Sequence, residues 1–342
     1  MVHRVAVGRL EKKSVLCCSG ELIYGIYPVQ LALETQRRTF HHLMYKQGCE
    51  VRSEKIKDML HTAASRGIRT TGLTSSQFRK VLTGDQTHQG VCCDVSYLPF
   101  LVFQEHEYLP MKEYGEVAEI GEGRVGAGFW EVHNNSNYYQ KELGENRTDK
   151  IIKYNDPLHH SIETKIPQLW IYLDQIQDPM NFGAVLRSAY FFGVDKILTS
   201  EHNSCTLSGV VSKASSGVSE VVPVYTLPNP SAVILSQLSK AGWVLAASAH
   251  PDAGSNVTPV DNFTPHGNTI LIVGSESKGV QEEVLSVCHV VLTVPPVRPL
   301  HQAASCLNVS AATAVLLHSL RSKLLKSTST TPNSIIPAFS GS

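Results

Sequence analysis

The sequence predicts an α/β protein that has a parallel β-sheet in its second half and a smaller α/β domain before it. In the second half, apolar runs of strand length alternate with segments whose apolar residues recur at helical spacing. Several runs are continuous in β-branched residues and Leu, which is typical of strands buried on both faces of a sheet. Polar or glycine-rich segments follow three of these runs directly.

Residues 20–104 contain shorter elements that also alternate. Helical patterns cover 30–38, 54–66 and 74–82, and strand-like runs cover 43–45 and 92–95. We therefore predict a small α/β domain over residues 20–104.

The second half contains six predicted strands: Trp170–Leu173, Lys196–Thr199, Val221–Tyr225, Trp243–Ala247, Ile270–Val273 and Val290–Val294. The first strand leads into a turn rich in Asp, Pro and Asn and then into a helix, for which we predict Asn181 as the N-cap. Taken alone, this stretch is equally consistent with an ordinary strand, turn and helix that carries a solvated Arg187.

Two later segments change that interpretation. Gly274 to Gly279 follows a buried strand, and its glycines permit tight turning and close approach of the backbone to a ligand, with Glu276 between them. Val294 and Pro295 end the next strand, and Leu307-Asn308-Val309-Ser310 opens a helix rich in Ala and Leu. Three strand-end loops with their own polar residues predict a functional site.

These motifs resemble those of the SpoU branch of the SPOUT methyltransferases, which methylate the ribose 2′-hydroxyl of RNA. The family pattern N-x-G-x-x-x-R corresponds to Asn181, Gly183 and Arg187, and L-D…D-P to Leu173, Asp174, Asp178 and Pro179. G-x-E-x-x-G corresponds to Gly274, Glu276 and Gly279, and the family stretch K-A-S-x-G to 213–217. The third pattern corresponds to Val294-Pro295 followed by 306–310, where Cys306 replaces the usual Ser and the intervening loop is longer.

The resemblance implies a SPOUT-type parallel sheet with a C-terminal trefoil knot, a homodimer, and S-adenosyl-L-methionine as cofactor. It implies a catalytic group, namely Asn181, Arg187, Glu276, Asn308 and Ser310. It also implies a cofactor-binding group, namely Gly274, Gly279, Val294, Pro295 and Leu307. No metal is implied.

The family's proposed base, Arg187, is difficult to reconcile with the chemistry of a guanidinium, which does not give up its proton in proteins. We therefore expect Arg187 to hold the target phosphate and to stabilise the developing alkoxide electrostatically.

The charge distribution favours RNA binding by the first domain. The formal net charge is zero, but residues 1–100 carry 14 Lys and Arg against 8 Asp and Glu. A basic half is where phosphate contacts are expected, although a solvated basic surface explains the same balance. By resemblance, Tyr24 could stack on a base, and further RNA contacts are expected from Arg37, Arg38, His88, Gln89 and Gly90. Their alternative role is as turn and core residues.

The remaining segments have simpler interpretations. Residues 1–19 are basic and nearly free of acids, as in a mitochondrial presequence, which predicts the mitochondrial matrix. Residues 105–165 predict an acidic linker enlarged by an insertion, and 327–342 a disordered tail. No apolar run approaches the ~20 residues that span a bilayer, so no membrane partner is expected. The eight cysteines include no C-x-x-C and predict reduced thiols.

The resemblance thus implies S-adenosylmethionine-dependent 2′-O-methylation of a guanosine in large-subunit mitochondrial rRNA. Two alternatives stay open at this stage: the same chemistry on tRNA, and an RNA-binding ribosome assembly factor that has lost catalysis.

Overall fold

The computed structural model describes residues 18–82, 87–104, 166–249, 257–299, 301 and 306–328, all within one compact unit. The predictions for the presequence and the linker fall on residues 1–17 and 105–165, which lie outside this range, as do residues 329–342 of the predicted tail.

The small domain is a four-stranded sheet covered on both faces. Its strands are β1 (Glu21–Tyr24), β2 (Phe40–Lys46), β3 (Thr70–Leu73) and β4 (Val91–Val95), in the order β1-β4-β2-β3. Its helices are α1 (Ile26–Thr35), α2 (Cys49–Arg52), α3 (Glu54–Ser65) and α4 (Ser75–Val81). Alternate strand residues enter two cores: Ile23 and Leu43 join the one beneath α1 and α3, and Met44 the one beneath α4.

Helix α1 ends earlier than its pattern predicts. Its C-cap, Gln36, adopts a left-handed conformation at φ 54°, and its N–H bonds the carbonyl of Ala32. This ending turns the chain before Arg37 and Arg38, which therefore lie outside the helix predicted for 30–38.

The large domain is an eight-stranded sheet in which every pairing is parallel. Its strands are β5 (Leu101–Val102), β6 (Leu169–Asp174), β7 (Lys196–Ser200), β8 (Val224–Leu227), β9 (Val244–Ser248), β10 (Val257–Pro259), β11 (Thr269–Gly274) and β12 (Val290–Thr293). The order across the sheet is β10-β12-β9-β11-β6-β7-β8-β5. The parallel sheet expected from the buried apolar runs is confirmed.

Helices cover both faces of this sheet. They are α5 (Pro179–Phe191), α6 (Gly209–Ala214), α7 (Val218–Val221), α8 (Ser231–Lys240), α9 (Glu282–Leu285) and α10 (Val309–Thr328). Side chains of α5, α6 and α10 pack in one core with Ile171 and Leu173 of β6, and those of α8 and α9 pack with Trp170 and Tyr172 in the other.

Three local predictions for this half are wrong. The strand predicted at 221–225 begins at Val224, because residues 218–221 form α7. Residues 101–102, assigned to the small domain, form the edge strand β5 beside β8. Helix α10 continues through Ser327 to Thr328, so the predicted tail does not begin at 327.

Candidate active site

A buried carboxylate joins the loops that follow β6 and β11. Asp174 ends β6 opposite Gly274 of β11 and is fully buried. Its carboxylate accepts hydrogen bonds from the backbone N–H of Gln281 at 2.8 Å and from the Gln281 side-chain amide at 2.7 Å. A buried carboxylate needs such donors, and here the donors hold the 275–281 loop against β6.

Asp178, not Asn181, is the N-cap of α5. The Asp178 carboxylate accepts from the backbone N–H of Asn181 at 2.8 Å, and Pro179 takes the first helical position, where its missing N–H costs nothing. Asn181 therefore lies within the first turn, and its side chain is available for other contacts.

Those contacts join all three sequence motifs. The Asn181 amide nitrogen donates to a carboxylate oxygen of Glu276, and the Asn181 amide oxygen accepts from the Asn308 amide nitrogen at 3.0 Å. The Asn308 oxygen accepts in turn from the Ser310 backbone N–H at 2.9 Å and from its hydroxyl at 2.6 Å. Glu276, Asn181, Asn308 and Ser310 thus form one polar chain, the motif relay, on three elements distant in sequence.

The Gly274 to Gly279 loop is closed so tightly that only glycine fits at its first position. The backbone of Ser275 and that of Gly279 exchange hydrogen bonds of 3.1 and 2.9 Å, and a Cβ on Gly274 would overlap the Gly279 peptide group. Gly279 has φ +69°, a left-handed conformation that favours glycine. This turn holds Glu276 exposed, toward Asn181.

Arg187 lies apart from the motif relay. Six residues after Asn181, it is about 9 Å further along the axis of α5. Its guanidinium is exposed and donates to the Ser216 hydroxyl at 3.0 Å. The structure therefore brings four of the five predicted catalytic residues together and leaves Arg187 on the side of α5 that faces α6.

The Ser216 hydroxyl is placed by a helix-ending turn. The N–H of Gly217 bonds the carbonyl of Ser212 at 2.7 Å, and the N–H of Ser216 bonds that of Lys213 at 3.1 Å, which together form a Schellman motif at the end of α6. Ser216 has φ 57°, where glycine is the usual residue. Gly183 lets α5 approach this turn, because an added Cβ would lie 2.6 Å from the Ala214 Cβ and 2.8 Å from the Val211 carbonyl oxygen.

The residues predicted to bind the cofactor surround the ends of β11 and β12. Beyond the glycines, Pro295 is exposed and Leu307 is 51% exposed, although both flank buried elements. Thr293, at the end of β12, is buried, and within the described chain its hydroxyl has no hydrogen-bond partner. A tight glycine turn, an unpartnered buried hydroxyl and an exposed apolar side chain fit a ligand such as S-adenosylmethionine, which has both an apolar ring face and polar edges.

Two of the predicted RNA contacts are wrong. Tyr24 is only 6% exposed and packs with Met44 and Phe78 in the core beneath α4, so it cannot stack on a base. The Arg38 side chain is fully buried, with its guanidinium bound to both oxygens of Glu220, at 2.7 and 3.0 Å, and to Glu21. Burial alone would lower the pKa of Arg38, but hydrogen bonds and charges from the two glutamates outweigh it and raise that pKa. Arg38 connects the two domains.

Arg37 is also engaged with the large domain. Its guanidinium donates to the carbonyls of Ser219, Glu220 and Val222, at 3.2, 3.4 and 2.9 Å. Contacts of this kind hold a side chain in place within the protein, so Arg37 contributes to domain packing in this conformation.

The His88-Gln89-Gly90 turn lies where the two domains meet. The His88 ring packs against that of Phe78 in a tilted arrangement, with ring centroids 4.6 Å apart, and its Nδ1 accepts from the Gly90 N–H at 3.0 Å. The Gln89 side-chain oxygen accepts from Ile26 N–H at 3.1 Å and from Lys213 Nζ at 3.2 Å. Gly90 is buried at φ +84°, and a Cβ there would lie 2.6 Å from the Cys49 sulfur.

The sequence did not predict three roles seen in the structure: Asp174 holds the 275–281 loop, Asp178 caps α5, and Ser216 accepts from Arg187. Asp178 before Pro179 has the usual form of a helix start, so the D-P pair was a readable signal. Nothing in the sequence indicates that Asp174 pairs with Gln281 or that Ser216 receives Arg187, because both contacts join distant segments.

No helix in the described ranges is long and apolar enough to cross a membrane. No group of three or more His, Cys, Asp or Glu side chains in the same ranges could hold a metal ion.

Two family models match this chain. Residues 168–318 match the SpoU rRNA methylase family, and residues 22–101 match the RNA 2′-O ribose methyltransferase substrate-binding domain. Human mitochondrial rRNA methyltransferase 1 is 33% identical over 310 residues, covering 89% of this chain and 73% of the human protein.

Two further relatives extend the comparison. The 23S rRNA (guanosine-2′-O-)-methyltransferase RlmB of Shewanella oneidensis is 29% identical over 182 residues, 53% of this chain and 70% of that enzyme. The crystal structure of the SpoU methyltransferase AviRb from Streptomyces viridochromogenes with AdoMet has the same fold, with a TM-score of 0.57 at 17% identity and 90% coverage of both chains. With its three motifs joined in one relay and a substrate-binding domain before them, the chain belongs to the SpoU family of RNA methylases.

Proposed function

We propose that this protein transfers a methyl group from S-adenosylmethionine to the ribose 2′-hydroxyl of a guanosine in large-subunit rRNA. The observation that carries the proposal is the motif relay, in which Asn181 bonds Glu276 on one side and Asn308 on the other. The family membership supports methyl transfer, and the names of the human and Shewanella relatives support rRNA and guanosine.

The relay holds an exposed carboxylate in one orientation. The Asn181 amide donates to Glu276 and accepts from Asn308. Rotation of the Glu276 or the Asn308 side chain would therefore break its hydrogen bond to Asn181. The second Glu276 oxygen is then available to accept from a nucleoside hydroxyl or base N–H. S-adenosylmethionine, when bound, supplies a methyl group already activated as a sulfonium, so the protein mainly has to align the ribose oxygen with it.

Arg187 supplies positive charge where the ribose oxygen loses its proton. Its bond to Ser216 uses one N–H, so among the described residues further N–H groups are left for the target phosphate and the developing alkoxide. The proton then passes to that phosphate or to water, because a guanidinium cannot accept it.

The separation of Arg187 from the relay supports a homodimeric enzyme. Helices α5 and α10 pack on each other, and both expose apolar side chains: Met180 at 57% and Phe191 at 81% on α5, and Val315 at 42% on α10. An exposed apolar surface of this kind is typical of an interface between subunits. We propose that a second copy covers it and completes the site near Arg187.

The family implies a trefoil knot in the large domain. The names of the mitochondrial relatives support a mitochondrial location. After β11 the chain crosses to β12, beyond β9, and then returns to place α10 on α5, as threading through a loop requires. We propose both the knot and a mitochondrial matrix location.

Arg187→Ala tests the function. The purified protein is incubated with methyl-labelled S-adenosylmethionine and a transcript of the large-subunit rRNA peptidyl-transferase loop, and the modified nucleotide is mapped. Methyl transfer to a guanosine 2′-oxygen is expected from the unaltered protein and from the control Lys240→Ala on α8, but not from Arg187→Ala. Calorimetry should find cofactor affinity nearly unchanged in Arg187→Ala. Transfer to tRNA alone, or no transfer despite cofactor binding, would contradict the proposal.

A further inference from the structure

Two lysines from different domains flank the His88-Gln89-Gly90 turn. Lys46 ends β2 of the small domain, and its N–H bonds the Gly90 carbonyl at 2.9 Å. Lys213 lies in the last turn of α6 in the large domain, and its ammonium bonds the Gln89 side-chain oxygen at 3.2 Å. A Cβ on Gly25 would lie 2.7 Å from the same ammonium, so this glycine gives Lys213 room to reach the small domain.

Neither lysine is neutralised within the described chain, where neither forms an ion pair with a carboxylate. Arg38, at the same domain boundary, is held by two carboxylates. Burial lowers the pKa of Lys213. Burial also lowers the pKa of His88, and the charges of Lys46 and Lys213 lower it further, so both ammonium groups act on one imidazole.

Such an arrangement is unfavourable unless an anion joins it. Two half-buried cations repel each other, and each has lost part of its hydration. Gln89 is neutral and offers one oxygen to Lys213, which does not compensate for either charge. A phosphate group would screen the repulsion between the two ammonium groups and accept charge-assisted hydrogen bonds that replace their lost hydration.

Lys213 also belongs to the turn that receives Arg187. The Lys213 carbonyl accepts from the Ser216 N–H at 3.1 Å, and the Ser216 hydroxyl accepts from Arg187. Lys213 and the acceptor of Arg187 therefore lie in one tight turn.

We propose that Lys46 and Lys213 form a phosphate subsite shared by the two domains, which holds an RNA backbone phosphate next to the target nucleotide. The His88-Gln89-Gly90 turn forms the floor of this subsite. The inference rests on the proposed function, since it takes the anion to be RNA phosphate, and it assigns to these lysines the phosphate contact that Arg38 cannot make. Because each domain contributes one cation, RNA binding stabilises the packed arrangement of the domains.

The test measures how RNA affinity depends on salt. The full-length protein binds the peptidyl-transferase-loop transcript at several KCl concentrations, as unaltered protein and as Lys46→Met, Lys213→Met and the double variant. Met keeps the length of the side chain and removes the charge. Because both lysines hold one phosphate, loss of that contact should flatten the plot of log affinity against log salt by about 0.7 in the double variant, and each single variant should flatten it by part of that amount. The exposed control Lys240→Met and the charge-preserving Lys213→Arg should keep the original slope.

A second variant separates phosphate binding from domain packing. Gln89→Asn shortens the amide by one methylene, so it cannot reach Lys213, while Asn tolerates the left-handed backbone at φ 54°. The subsite predicts an unchanged salt slope for this variant, whatever its affinity. Flattening equal to that of Lys213→Met, or an unchanged slope in the double lysine variant, would overturn the proposal.

The two proposals fail separately. If the unaltered protein methylates the transcript and the double variant keeps its slope, the subsite is wrong and the function stands. If the slope flattens as expected but the unaltered protein methylates no RNA, the subsite stands and the proposed function is wrong.

Discussion

Replacing Arg38 by Met should destabilise the protein rather than weaken its contacts with RNA. The Arg38 side chain is fully buried against Glu220, which is itself fully buried. Removing the guanidinium leaves the buried Glu220 carboxylate without its cation, a loss of about 3–5 kcal/mol for one partner of a buried ion pair. This is a large part of a typical total stability of about 5–15 kcal/mol.

A double-mutant cycle isolates the pair. Arg38→Met and Glu220→Met are each expected to be strongly destabilising. The double variant should recover part of the loss, because two apolar groups replace the fully buried pair and only the partly exposed Glu21 loses its cation. Denaturant unfolding is followed by circular dichroism, which reports both domains, and by tryptophan fluorescence; two of the three tryptophans, Trp170 and Trp243, lie in the large domain. Separate transitions in Arg38→Met would show that the small domain detaches first.

The opposite outcome would restore Arg38 as an RNA contact. A change in stability below about 1 kcal/mol, together with a salt slope of RNA binding flatter by about 0.7, would refute the buried-pair reasoning.

Three further predictions follow from the local geometry. Ser216→Gly should keep or raise the melting temperature, because glycine suits the left-handed position. The same change should slow methyl transfer about ten- to a hundredfold, because Arg187 loses its hydrogen-bond acceptor. Full activity would show that Arg187 needs no such support. Cys306 is exposed, whereas burial raises the pKa of Cys92, Cys205 and Cys288 to about 12, so thiol labelling at about pH 8 should modify Cys306 and spare those three. S-adenosylmethionine should slow that labelling as measured by mass spectrometry, and equal rates with and without it would place the cofactor elsewhere. Burial lowers the pKa of His42 and His88 from 6.5, so the unfolded chain takes up protons first and stability should fall as pH drops below about 6.5. Unfolding midpoints across that range check this, and a loss that persists in His42→Gln/His88→Gln would assign it to other groups.

Much of the large domain could be read from local sequence. Continuous apolar runs such as 270–273 are typical of strands buried on both faces, and the structure places Ile272 and Leu271 in opposite cores. The glycine at 274 was likewise informative. The tight turn that requires it is local, because the backbone that an added Cβ would overlap belongs to Gly279, five residues away.

The prediction for α5 failed by three residues for a local reason. Both Asp178 and Asn181 are good caps, and composition alone does not choose between them. Pro179 at the first helical position settles the choice in favour of Asp178.

The prediction that Arg38 and Tyr24 contact RNA was wrong because it used only the charge of one and the aromatic ring of the other. Whether an arginine binds phosphate or a buried glutamate depends on which surface packs over it, and Glu220 is 182 residues from Arg38 in the chain. Tyr24 occupies a strand whose alternate residues enter cores on both faces, and the second core exists only because α4 packs there.

The sequence by itself determined most central strands of the large domain, the family motifs and the residue types of the site, because these depend on burial patterns and short-range backbone geometry. Only the tertiary structure decided that Asn181 bonds both Glu276 and Asn308, that Arg187 lies with Ser216, and that Lys46 and Lys213 share one turn. Those contacts depend on the order of strands across the sheet and on how the two domains pack, which are set by the sum of many long-range interactions rather than by any one segment.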